Sequence, residues 1–157
     1  MTTADVSAQL RQQPFFADLN EATIQELSQR AATLTLSRGD VLFRQGEVSD
    51  VFYLVTSGEI LIEIPAISGP ALEIQRLTEG QILGWSWLIP PYKWTFQARA
   101  ESDTELLTFD GAAILAHCEE DPAFGYAVLK KFSALMSERL EAARRRMMDE
   151  WNPPGFA

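Results

Sequence analysis

Trp85, Trp87, Tyr92, Trp94 and Phe96 fall within twelve residues and include three of the four tryptophans in the chain. Indole rings carry large apolar area and a single N–H donor. Such a run suits a pocket for a flat or apolar ligand, with Ser86, Lys93 and Thr95 placed among the rings to fix its orientation. Aromatic residues at strand spacing also serve as core, in which case the rings fill the space themselves. Both readings stay open at the level of residue type and spacing.

His117, the only histidine, stands beside Cys118, Glu119, Glu120 and Asp121. His117 and Asp121 are four apart, but Pro122 interrupts the helix there, and a protein zinc site needs three or four oriented ligands. Neither a metal site nor a cofactor is expected. Cys118 has no third group to orient it with His117, and adjacent side chains point apart on a helix. Glu59, Glu63 and Glu73 alternate with Ile60, Ile62, Leu72 and Ile74, which places all three carboxylates on a solvent face rather than in an acid–base pair. The chain also lacks a nucleophile elbow, a Walker loop, a His-Glu-x-x-His pair and a dinucleotide glycine pattern. An enzyme is not expected.

The 157 residues suffice for one ordinary domain, and a hydrophobic share of 46% is enough for a core. A formal net charge of −9 opposes attraction to nucleic-acid phosphates and to anionic membrane surfaces. A single cysteine forms no intrachain disulfide, and no signal-peptide pattern opens the chain. Apolar runs are broken by Glu, Gly or Pro well short of the roughly 18 residues that cross a bilayer. The expectation is a cytoplasmic protein without a nucleic-acid or membrane partner.

The elements that position these residues follow from turn and period signals. Gly39, Gly46 and Gly58 punctuate the β-type runs Val41–Phe43, Phe52–Val55 and Ile60–Ile64 at close intervals. About eight short strands are expected between residues 33 and 110. The fold class is then mainly β with α: a jelly-roll β-barrel with a short N-terminal helix and a long C-terminal helix. Residues 1–13 read as a flexible N-terminus and 14–151 as the domain. Within it, an N-terminal helix occupies 14–32, started by Asn20 and carrying Ile24, Leu27 and Ala31 on one face, and C-terminal helices occupy 111–151. Residues 152–157 read as a tail.

Asp121-Pro122 starts the long helix. Leu129, Phe132, Met136, Leu140, Ala143, Met147 and Trp151 then form an apolar seam running to Pro153-Pro154. At 1.5 Å per residue it is roughly 45 Å long, more than one small barrel covers. A homodimer along this helix is expected; the alternative is a helix folded back on its own barrel. Arg144, Arg145 and Arg146 fan over roughly 200° of that helix, a solvated face rather than a compact phosphate site.

Gly39, Phe43, Gln45, Asp50, Tyr53 and Gly58, followed by Leu77–Gln81, Ala98–Ala100 and Glu105–Leu107, resemble the cyclic-nucleotide-binding domain family in its catabolite-activator-like sensors and kinase regulatory subunits. The resemblance runs from about Phe15 to Arg146. It implies a cassette in which an Arg, an adjacent Ser or Thr and backbone N–H groups hold a cyclic phosphate, while a Glu after a Gly accepts the ribose hydroxyl. A guanidinium matches two phosphate oxygens, and helix-start amides point positive charge at an anion.

The candidate ligand-binding residues are accordingly Gly84, Trp85, Ser86, Lys93, Trp94 and Thr95. Gly84 and Thr95 match the family, but Trp85 stands where it has Glu and Trp94 where it has Arg. Lys93 offers only a point charge. Charge-assisted bonds contribute about 1.5 to 3 kcal/mol each, so losing two turns a micromolar site millimolar. The resemblance with these departures implies a freestanding, non-catalytic sensor with a divergent aromatic pocket, binding cyclic AMP and GMP weakly or not at all. It would recognise another small ligand or a protein partner in signalling. An ordinary cyclic-nucleotide-binding regulator and a ligand-free interaction module are the alternatives. The family's long helix often leads into a DNA-reading module; six residues follow Trp151 here, and no DNA-binding activity is expected.

Overall fold

The computed structural model describes residues 2–150. Two helices, α1 (Thr3–Arg11) and α2 (Glu21–Gln29), precede eight strands: β1 (Ala31–Leu36), β2 (Val41–Phe43), β3 (Val51–Ser57), β4 (Ile60–Ile64), β5 (Leu72–Leu77), β6 (Ile82–Leu83), β7 (Gln97–Ala100) and β8 (Thr104–Asp110). The helices α3 (Gly111–Glu120) and α4 (Pro122–Glu150) follow. The strands pair into two antiparallel four-stranded sheets, ordered β1-β8-β3-β6 and β2-β7-β4-β5. The expected eight strands are present, but the barrel is not closed. Each sheet ends in open edges, and the two lie face to face.

Strand alternation builds two cores. Phe52 and Leu54 of β3 join Leu107 and Phe109 of β8 against the helices, whereas Tyr53, Val55 and Leu106 face the second sheet. The first sheet is therefore a middle layer covered on both faces. This is why Val51–Val55 reads as an uninterrupted apolar run. At the turn after β3, Gly58 adopts φ 88°, and a Cβ there would stand 2.4 Å from the Asp103 carbonyl oxygen.

The N-terminus departs from expectation, because residues 3–11 are helical. Thr2 and Asp5 form a reciprocal capping box, and Val6 and Leu10, one turn apart, are buried against α2 and its surroundings. The single N-terminal helix expected over 14–32 is confined to α2, capped by Asn20 on the Thr23 N–H. Turns lead into it and bury Phe16.

Glu63 is also not on a solvent face. A register irregularity between Ile62 and Glu63 shifts the β4–β5 pairing, and β7 lies alongside. Glu63 is buried there, accepting from Gln97 Nε2 at 2.6 Å and Arg99 Nε at 3.0 Å.

Asp121 caps α4 through the Phe124 N–H at 3.2 Å. Phe124, Val128, Phe132 and Leu135 then enter the helix-side core. Phe132 meets Phe15, Phe52 and Trp87 edge-on, so it belongs to the chain's own core and not to an outward seam. Farther on, α4 passes an edge strand of each sheet: Arg139 donates to the Ile82 carbonyl of β6 in the first sheet and Arg146 to the Ile74 carbonyl of β5 in the second. Met136 is half-buried, while Leu129, Leu140, Ala143 and Met147 remain exposed. Trp151 and Pro153-Pro154 lie outside the described residues.

Candidate functional site

The segment 84–96 leaves β6 and returns to β7 as irregular backbone. Its first half turns tightly, with the Leu88 N–H donating to Trp85 O at 3.0 Å. Its second half is tied to the loop after β2: Gly46 N donates to Trp94 O at 2.8 Å, Trp94 N to Glu47 O at 2.9 Å, and Ser49 N to Tyr92 O at 2.8 Å. These bonds fix the direction in which each ring leaves the chain.

The aromatic residues do not line one common cavity. Trp87, 1% exposed, enters the helix-side core, stacks on Phe52 at 5.1 Å and meets Phe132 edge-on; its Nε1 donates to Gly84 O at 3.2 Å. Trp94, 3% exposed, enters the core between the sheets and stacks on Phe43 with ring centroids 3.6 Å apart and an interplanar angle of 7°. Tyr53 and Phe96 complete its surroundings. Burial and the charges of Asp50 and Glu47 push the Tyr53 hydroxyl up to about 12, so it stays neutral at physiological pH. Trp85 is half-buried against the helix-side core, and the Arg139 guanidinium lies 6.0 Å over its ring.

Gly84 makes room for this arrangement. At φ 105° it occupies backbone that side chains rarely adopt, and a Cβ would stand 2.6 Å from Trp94 Cη2. The residue that matches the family glycine thus borders the tip of an indole. Lys93 and Thr95 flank Trp94 and are both exposed, while Ser86 is half-buried. The structure therefore does not bring the six candidate residues together: Trp94 and Gly84 meet inside, Lys93 and Thr95 face outward, and Trp85 faces α4.

Sequence reasoning missed Arg139. Burial lowers its guanidinium below its ordinary value, and it crosses from α4 to β6 beside Trp85. Its position inside an Arg- and Glu-rich helix stretch hid it among surface charges.

His117 lies edge-on to Phe124, with Nδ1 3.8 Å from Glu26. Burial, and next the Glu119 charge, push the Cys118 thiol up to about 11, which keeps the thiolate scarce at neutral pH. Among the described residues no group of three or more His, Cys, Asp or Glu side chains has the arrangement of a metal site, and no helix is long and apolar enough to cross a membrane.

The family model described as cyclic nucleotide-binding domain matches residues 33–121, more than half of the chain. A Rhodopseudomonas palustris protein named as a candidate potassium channel is 29% identical over 111 residues, which are 70% of this chain and 26% of that protein. The chain thus spans about a quarter of the length of the curated relative it matches. A cyclic nucleotide-binding domain from Methylobacillus flagellatus superposes with a TM-score of 0.79 at 16% identity, covering 98% of this chain and 86% of that one. The Thermus thermophilus catabolite activator protein superposes with a TM-score of 0.69 at 25% identity, covering 85% and 61% respectively.

Proposed function

Since the chain belongs to the cyclic nucleotide-binding domain family, we propose that it is a non-catalytic regulatory or sensor domain whose interior nucleotide site is occupied by its own Trp94. One observation carries this reading: the Trp94 ring is stacked on Phe43 between the sheets, at the position where the resemblance calls for a phosphate-binding guanidinium. A cyclic phosphate entering there would lose a bidentate partner and would have to displace a well-packed indole. With Trp85 in place of the ribose-binding carboxylate as well, cyclic AMP and cyclic GMP bind weakly or not at all. The domain then responds to a different small ligand or to a protein partner. Thermal melts with and without about 1 mM of either cyclic nucleotide test the reading: unchanged melting supports it, and a clear rise overturns it.

The family favours a second reading, ordinary cyclic nucleotide binding. It requires Trp94 to leave the core between the sheets when ligand arrives, and the same melts separate the two.

Dimerisation along α4 belongs to the proposal. Leu129, Leu140 and Met147, spaced by eleven and seven residues, are exposed as an apolar stripe that the chain's own core leaves uncovered. Sedimentation should show a dimer for the parent and a monomer for Leu140→Asp, with the melting of the isolated fold little changed. A monomeric parent would remove this part of the proposal. A cytoplasmic setting, in keeping with the single cysteine, is proposed on the same footing.

A further inference from the structure

A cavity of about 480 Å³ opens between the loop at Ser49 and Asp50, the tip of the segment 84–96, and α3. It is lined by none of Gly84, Trp85, Trp94 or Thr95, and so is distinct from the nucleotide site. Its apolar wall is formed by Val48 and by Ala112, Leu115 and Ala116 on one face of α3, with the buried Trp87 behind them. Gly111 lets α3 start this close to the ring, because a Cβ there would stand 2.9 Å from both Trp87 Cβ and the Asp50 carbonyl oxygen. Tyr92 stands at the rim with φ 57°, a left-handed backbone conformation held by the Ser49 N–H on its carbonyl.

The polar atoms of this cavity share one character. The Asp50 and Glu119 carboxylates have neither a hydrogen-bonded nor an ion-paired side chain among the described residues, although both line it. Ser49 Oγ is buried without a hydrogen-bond partner, and no basic side chain lines the cavity. Two free carboxylates and an unpaired hydroxyl beside the exposed Tyr92 ring match an organic cation. The chain's net charge of −9 draws cations toward it.

We propose that this cavity binds a small organic ammonium compound whose apolar body packs on Val48 and Leu115. The charged head lies against Tyr92, Asp50 and Glu119, and its N–H groups donate to the carboxylates and to Ser49 Oγ. The site is independent of whether Trp94 blocks cyclic nucleotides.

The test is a titration of isotope-labelled protein with 2-phenylethylammonium chloride, followed by backbone amide shifts, with 2-phenylethanol as the uncharged probe of the same body. Saturable shifts confined to residues 48–50, 92 and 112–119 are expected, with the ammonium compound about tenfold tighter than the alcohol. Asp50→Asn and Glu119→Gln, both at exposed positions, are expected to weaken it about three- to tenfold each while melting like the parent. No saturable shift up to about 10 mM, equal affinity for the alcohol, or shifts centred elsewhere would overturn the proposal. The comparison of the two probes is made on the unaltered chain, so it stands even if a variant folds poorly.

Discussion

Trp94→Ala is expected to lower the unfolding free energy of the domain by about 3 to 5 kcal/mol, the range for deleting a large aromatic side chain from a packed core. The ring is 3% exposed and lies flat on Phe43, with Gly84 at its tip. Relaxation cannot close the void cheaply, because the neighbours that would have to move sit on paired strands of both sheets. Small domains have about 5 to 15 kcal/mol in total, so the loss is a large share of it. Urea denaturation measures it directly. A loss below about 1 kcal/mol would mean that the indole is not a core element, and the occupied-site reading would lose its physical basis.

Trp85→Glu combined with Trp94→Arg is expected to exchange stability for ligand affinity. Without ligand the double variant loses the Phe43 stack and places a guanidinium among Tyr53, Phe96 and the apolar side chains between the sheets. Its destabilisation should therefore be at least that of Trp94→Ala. With a cyclic nucleotide present, the new guanidinium gains a bidentate phosphate partner and the new carboxylate a ribose hydroxyl. At 100 times its dissociation constant a ligand returns about 2.7 kcal/mol, or roughly 5 to 10 °C of melting temperature for a domain of this size. The parent should show no such rise. A folded double variant that melts identically with and without cyclic AMP would show that Trp85 and Trp94 do not occupy the two contact positions. Trp85→Glu alone, at a half-buried position, examines the ribose side with less damage to the core.

Much of this scaffold is written in local signals. Asn20, Asp110 and Asp121 each cap the helix that follows by accepting a backbone N–H three residues on, and such short-range chemistry is visible in any sequence. Gly39, Gly46 and Gly58 all take positive φ at strand ends, which is why their spacing marked the β-region. Features that depend on partners distant in the chain were hidden. Glu63 alternates like a surface residue until an irregular register and the arrival of Gln97 and Arg99 from β7 enclose it. The α1 helix spans nine residues with only two apolar contacts of its own, too little periodicity to stand out without α2 beside it.

The site was legible as a composition and not as a geometry. The density of indoles between residues 85 and 94 announced an unusual segment, and the departures from the family at Trp85 and Trp94 could be read position by position. Which core each ring enters could not, because the segment has no regular period: a turn at Trp85–Leu88 sends Trp87 to the helices, and Tyr92 in the left-handed region precedes the strand-like step that sends Trp94 between the sheets. The apolar seam of α4 shows the same limit. Phe132 and Leu140 belong to one apolar seam, yet the first meets Phe52 and Trp87 while the second stays exposed, although Arg139 and Arg146 on either side of it reach the sheet edges.

The most direct test of the occupied site is equilibrium binding of cyclic AMP and cyclic GMP to the unaltered chain by titration calorimetry. With Trp94 stacked on Phe43 inside the domain, no saturable heat is expected at concentrations up to about 1 mM; a dissociation constant in the low micromolar range for either nucleotide would contradict the account.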